Sequence, residues 1–255
     1  ITVSTSIGNM TRVATDAKGG QTFEEGDEIS VYAWTGDATV APETRERVVN
    51  NAINKLTNGS WISTPQMLWK NNRDKHYFIG VYPISAISDL SAGEYTFDET
   101  KQVESDLLVA VNKDGLSYNV DEQQPVPLTF THVMAKLVVN LTYKNQWGGI
   151  PTVEKVVVGN AAKEATINYL TKVVTPSTTA KEDFSLPEIT ENTKYVSVII
   201  PQEEVKQLTI VIGGKNFVYD NGTPFKLESG KITTVNLEVG RDEIKLGDVK
   251  ITDWE

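Results

Sequence analysis

The 255-residue sequence contains no cysteine, which excludes disulfides, thiolate metal centres and cysteine nucleophiles. Secreted eukaryotic domains of this size usually carry disulfides, so their absence points to a bacterial or a cytosolic protein. Positive charge is scarce as well: 24 lysines and arginines stand against 34 aspartates and glutamates, a formal net charge of -10. That balance disfavours nucleic acid and anionic lipid as partners, because both are held by released counterions. No apolar run reaches the roughly 18 residues of a membrane-spanning helix. Only two histidines occur, His76 and His132, and neither has a neighbour at metal-ligand spacing. Each reads as a surface or junction residue at the end of a strand pattern rather than as a catalytic base. HExxH, GxSxG, P-loop and dinucleotide-glycine patterns are missing. Acidic clusters at Glu24-Glu25-Gly26-Asp27-Glu28, Asp121-Glu122 and Asp242-Glu243 lack the alternating oxygen ligands of a calcium loop and read as solvated turns. No cofactor, metal or enzymatic activity is expected, although two carboxylates converging as a glycosidase pair is a geometry that sequence does not reveal.

What the chain does have is strand pattern. EISVYAW at 28–34, HYFIGVYPI at 76–84 and LLVAV at 107–111 are rich in β-branched and aromatic residues and bounded by turn formers. The segment 107–120 reads as a hairpin turning at Asp114-Gly115, and 207–219 as a hairpin turning at Gly213-Gly214. Between them, Val133, Ala135, Leu137, Val139, Leu141 and Tyr143 alternate strictly with polar or opposite-facing positions, as in a long strand with one buried side. Strands at 155–158, 194–201 and 231–239 complete the second half. Pro125 and Pro127 in DEQQPVPLTF suit an extended link, so a boundary falls near residue 126 and gives two units, 1–126 and 127–255. RVVNNAINKL at 47–56 stays open: Val48, Val49, Ala52, Ile53 and Leu56 fit a helical face, while the surrounding pattern favours a strand.

Both ends are distinctive. At the N-terminus Ile1, Val3 and Ile7 alternate with Thr2, Ser4 and Ser6, and the pattern then gives way to a polar, glycine-ended link carrying Arg12. An isoleucine start suggests a processed product with a signal segment upstream. Near the C-terminus, IKLGDVKITDW at 244–254 places Ile244 and Leu246 in one phase and Val249 and Ile251 in the other. The phase flips at Gly247-Asp248, as at a bend or bulge. On the residues alone, this segment fits the last strand of its own sandwich. It also fits a strand donated elsewhere, where three to five buried apolar side chains would contribute roughly 5–15 kcal/mol before ordering costs.

In order along the chain stand Thr11-Arg12 with its link, EEGDEISVYAW, NGSW with a second tryptophan at Trp69, FIGVYP, LTFTHVMAKLVVNL and the terminal VKITDW. This ordered set resembles the fimbrillins of Bacteroidales, the subunits of type V pili. The lipobox cysteine of the family's precursors is not in the sequence, and Val13 stands where the family has a small residue. The resemblance implies an all-β fold of two transthyretin-like β-sandwiches in tandem. It further implies export as a lipoprotein precursor to the outer membrane, cleavage by an arginine-specific surface protease, and strand exchange with other pilin subunits into a surface fibre serving adhesion or biofilm. On that reading residues 1–12 are a removable plug with Ile1, Val3 and Ile7 facing inward, and Arg12 is the cleavage point. Residues 244–255 are then the candidate donor, with Ile244, Leu246, Val249, Ile251 and Trp254 as its contacts. The competing reading is a monomeric, non-catalytic glycan-binding surface protein that uses one of the five tryptophans as a stacking platform. Trp147, beside Gly148-Gly149, is the candidate for it.

Overall fold

A computed structural model describes residues 1–8, 22–119 and 124–254. In chain order its strands are β1 (Val3–Ile7), β2 (Glu28–Thr35), β3 (Val49–Thr57), β4 (Ser60–Thr64), β5 (His76–Tyr82), β6 (Gly93–Thr96), β7 (Leu108–Leu116), β8 (Val126–His132), β9 (Ala135–Tyr143), β10 (Val153–Ala162), β11 (Glu164–Asn168), β12 (Val173–Pro176), β13 (Lys181–Ser185), β14 (Glu188–Thr190), β15 (Lys194–Ile199), β16 (Gln207–Ile212), β17 (Lys215–Asp220), β18 (Lys231–Val239) and β19 (Ile244–Asp253). The chain is all-β, as its alternating pattern requires.

The first sheet has the order β1-β8-β7-β5-β2-β3-β4. Its central strands β2, β5 and the first part of β7 are apolar on both faces because both are covered. Ile29, Val31, Ala33, Phe78, Ala110, Leu128 and Phe130 line one core, while Tyr32, Trp34, Ile79, Val81 and Val109 on the opposite phase join a second. The sheet curls until its two edge strands meet. The Trp61 indole N–H of β4 donates to Thr5 Oγ1 of β1 at 3.0 Å, and the Ile1 amine donates to the Met67 carbonyl at 2.8 Å. The first core is the inside of that curl.

The second core is shared with a five-stranded sheet, β14-β15-β9-β18-β19, a four-stranded sheet, β13-β10-β16-β17, and a three-stranded sheet, β12-β11-β6. The last of these pairs β6 from the first half with β11 from the second. Strand β8, which begins at Val126, belongs to the first sheet, where it pairs with β7 and β1. Residues 126–130, expected in an extended link, are therefore strand, and Val126, Leu128 and Phe130 face the curl.

Bulges explain where the pattern misled. From Val49 onward RVVNNAINKL is strand β3, and its register on β2 slips between Val31 and Ala33. Asn51 takes a φ of 54° there, so Val49 and Ala52 both reach the core at a spacing that imitates a helix. Segment 107–120 is likewise not a hairpin. Strand β7 runs straight through Asp114-Gly115 as a bulge against β5, with His76 opposite Leu116 and Phe78 opposite Asn112. Gly115 supplies the positive φ that the bulge needs, and a Cβ on it would lie 2.7 Å from the Tyr77 ring. Gly213-Gly214, by contrast, does turn the β16–β17 hairpin with positive φ at both residues. The long alternating strand begins at Ala135, two residues later than its pattern.

Candidate functional site

Strand β1 is an edge strand held from one side only, parallel to β8, with Val3 opposite Val126 and Ile7 opposite Phe130. The Val126 amide donates to Thr2 O and the Gly8 amide to Phe130 O, both at 2.8 Å, which fixes the register at each end. Val3 is buried, and Ile1 and Ile7 are half-buried against the core of the curl. Burial also lowers the proton affinity of the Ile1 amine below its ordinary value. Arg12 lies outside the described residues.

Under β1 is an aromatic floor that the sequence pattern did not single out. Phe23 sits edge-on to Trp61, Tyr82 and Phe130, with ring centroids 5.1–5.3 Å apart. Phe23 is the first apolar residue after the polar link, and the V-x-L-x-F alternation at 126–130 was the available signal for the rest.

At the other end of the chain, β19 is the edge strand of the five-stranded sheet, antiparallel to β18. The phase flip at Gly247-Asp248 is a bulge: Asp248 pairs with Asn236 and Leu246 with Leu237, leaving Gly247 over. Asp248 also accepts a hydrogen bond from the Asn236 side chain. The extra residue returns Ile244, Leu246, Val249 and Ile251 to one face, opposite Val239, Leu237, Val235 and Thr233. Only Ile244 is half-buried against the core, whereas Leu246, Val249 and Ile251 form an exposed apolar row, each 38–40% accessible.

Trp254, beyond the strand, is docked. Its amide donates to Gly230 O at 3.0 Å, and its ring stacks on His132 at 3.9 Å with the planes 10° apart. Lys136 Nζ stands 4.8 Å from the same ring, and burial lowers that ammonium's pKa. His132 Nδ1 lies 2.8 Å from Asp106 Oδ1. His132 and His76 are both buried rather than at the surface. Ile7 and Trp254 line one cleft of 1090 Å³, together with Phe23, Tyr82 and Val198.

The two end strands thus offer backbone pairing and apolar side chains. Among the described residues, no group of three or more His, Asp and Glu side chains is placed to hold a metal ion. No helix among them is long and apolar enough to cross a membrane. Trp147 is half-buried, edge-on to Phe217 at 5.8 Å, with its indole N–H donating to Val239 O and Arg241 over its ring. One face of its ring is thus covered by Arg241.

The fimbrillin-like family model matches residues 11–254. The chain belongs to the fimbrillin-like family. As a fimbrillin-like protein it falls among fimbrial proteins. Its fold is similar to that of a proposed cell adhesion protein of Bacteroides uniformis, at 20% identity and a TM-score of 0.71 over 92% of this chain and 94% of that one. A proposed cell adhesion protein of Bacteroides ovatus is similar at 17% identity and a TM-score of 0.70, over 100% and 97%. The tip fimbrial protein Mfa3 of Porphyromonas gingivalis, with a C-terminal truncation, is similar at 10% identity and a TM-score of 0.57, over 91% and 95%. No curated protein sequence is similar enough to count as a match.

Proposed function

We propose that this chain is a structural fimbrial subunit, exported as a lipoprotein precursor and assembled on the outer membrane by strand exchange, with β1 as the exchangeable plug. The observation that carries the reading is the placement of β1: a terminal strand, paired on one side only, lying over an apolar floor that the rest of the fold supplies. Burial of Val3 and partial burial of Ile1 and Ile7 contributes roughly 3–6 kcal/mol before ordering costs, enough to seal the groove yet open to competition. The row Ile244, Leu246, Val249 and Ile251, with Trp254 behind it, is the competitor. It carries four strand positions against three, and three of the four, Leu246, Val249 and Ile251, are exposed in the monomer. Cleavage after Arg12 by an arginine-specific surface protease releases the plug, and other pilin subunits supply the incoming strand. The division into two sandwich units, expected as 1–126 and 127–255, belongs to the same reading, with β8 counted in the first unit because it pairs with β7 and β1.

The test is Arg12→Ala. The variant is expected to stay monomeric, with residues 1–12 attached, under conditions in which the parent forms denaturant-resistant ladders after protease treatment. Normal ladders from an uncleaved variant would falsify the plug role.

A further inference from the structure

A second cleft, of 740 Å³, opens where β2 ends and β5 begins, at the Ile1 end of the first sheet and away from the cleft at Ile7 and Trp254. It combines three features. Trp69 is half-buried on its rim, edge-on to His76 at 4.9 Å and Phe78 at 5.9 Å, with Val40 and Leu68 beside it, both mostly exposed. Arg45, Arg47 and Lys70 line it with Asp37 and Glu46, and since Arg45 is held by Glu43 at 2.8 Å, Arg47 and Lys70 are its cations without an ion pair among the described residues.

The third feature is the state of Arg47. It is only 8% exposed, and its guanidinium donates to Ile87 O, Ser88 O and Asn50 Oδ1 while facing the Tyr32 ring at 5.4 Å. Its Nε has no acceptor. No carboxylate forms an ion pair with it among the described residues. Asp89 acts on it only through space. A buried cation without a counter-charge is costly, and the positive potential it leaves is screened weakly.

We infer that this cleft binds an acidic saccharide, with the Trp69 face and its apolar neighbours taking a sugar ring and the Arg47–Lys70 wall taking its carboxylate. An aromatic face beside apolar side chains suits the C–H face of a pyranose, and fixed cations select a uronate-type or sialic-acid-type sugar over a neutral one. A saccharide accounts for the aromatic rim better than a bare anion does, because an anion alone would use only the cations. The inference stands on this cleft and not on polymerisation, so it is tested on the intact monomer.

The probes are glucuronate-containing oligosaccharides and sialyllactose, with cellobiose and lactose as neutral controls and an acidic peptide as the non-sugar control. Binding is followed by calorimetry and by tryptophan fluorescence. One acidic series is expected to bind saturably, to weaken as salt rises, and to lose affinity about tenfold in Lys70→Glu, which removes one charged contact and adds a repulsion. Leu68→Asp, on an exposed side chain, is expected to weaken binding without altering the melt. Trp69→Ala should abolish it. Because that side chain also packs on the core, its result counts only together with Lys70→Glu and Leu68→Asp. The inference is overturned if no acidic saccharide binds at millimolar concentration, if neutral sugars or the acidic peptide bind equally, or if Lys70→Glu and Leu68→Asp leave affinity unchanged.

Discussion

Ile251→Asp separates the two lives proposed for β19. In the monomer, Ile251 pairs across from Thr233 at the sheet edge and is 40% exposed. Full burial of an isoleucine contributes roughly 1.5–3 kcal/mol, so the substitution forfeits about 1–2 kcal/mol, and the new carboxylate still reaches water. For a chain of this length that is a fall of about 2–8 °C in Tm. Inside a neighbour's closed groove the same carboxylate would be dry and unpaired, at a cost of several kcal/mol. A loss of even about 3 kcal/mol lowers association more than a hundredfold. The assay is therefore double: differential scanning calorimetry of the unprocessed monomer, and denaturant-resistant ladders after protease treatment. The expected result is a near-parental melt with ladders lost. A collapse of the melt would assign Ile251 to the subunit's own core, and ladders of normal yield would remove β19 from the contact between subunits. Either outcome refutes the reasoning.

Two further outcomes follow from the same geometry. Removing residues 1–8 should lower the melting temperature, and a peptide of residues 244–255 at about 100 times its Kd should recover up to about 2.7 kcal/mol; a scrambled peptide that does as well would refute the groove assignment. His76 is fully buried, with Nε2 accepting from the Lys70 amide and Nδ1 facing Asp74 O, and burial is the main cause that lowers its pKa. A depressed histidine pKa means that the unfolded chain binds the proton first. Stability is then full above the unfolded value of about 6.5 and falls as pH drops below it, by up to about 1.4 kcal/mol per unit. Thermal melts from pH 7.5 to 5.5 should slope less in His76→Gln than in the parent; equal slopes would refute this.

Much of the fold was legible because β2, β5, β9, β16 and β18 bury alternate side chains against one core or the other, and period two is what a pleated strand demands. Two of the misreadings share one physical cause, the bulge, while Pro125 and Pro127 hid strand β8. In β3 an extra residue at Asn51 put Val49 and Ala52 in phase and imitated a helix. In β7 Gly115 served a bulge and not a turn. In β19 the flip at Gly247 was read from the sequence as a bend or bulge, because a glycine marked it. For the site, the alternation of Ile1, Val3 and Ile7 was local and readable. The floor beneath them was not, because Phe23, Trp61 and Phe130 converge only once a seven-stranded sheet has curled. Arg47 was invisible for a related reason: nothing near it in sequence says that its partners will be the carbonyls of Ile87 and Ser88.

The meeting of β1 with β4 also bears on how a subunit stays harmless before use. An open sheet edge is a template for indiscriminate pairing, and natural proteins blunt such edges. Here one sheet has its first edge tied across to its last by two hydrogen bonds, from Trp61 to Thr5 and from the Ile1 amine to Met67. The outer edge at β19 is guarded differently. Lys245, Asp248 and Lys250 punctuate a strand whose apolar row would otherwise invite stacking. One end is silenced by closure and the other by charge. On the proposed reading, subunits at high local concentration would pass one another without pairing, and a single cut in the chain would end that silence at one edge while leaving the other as it was.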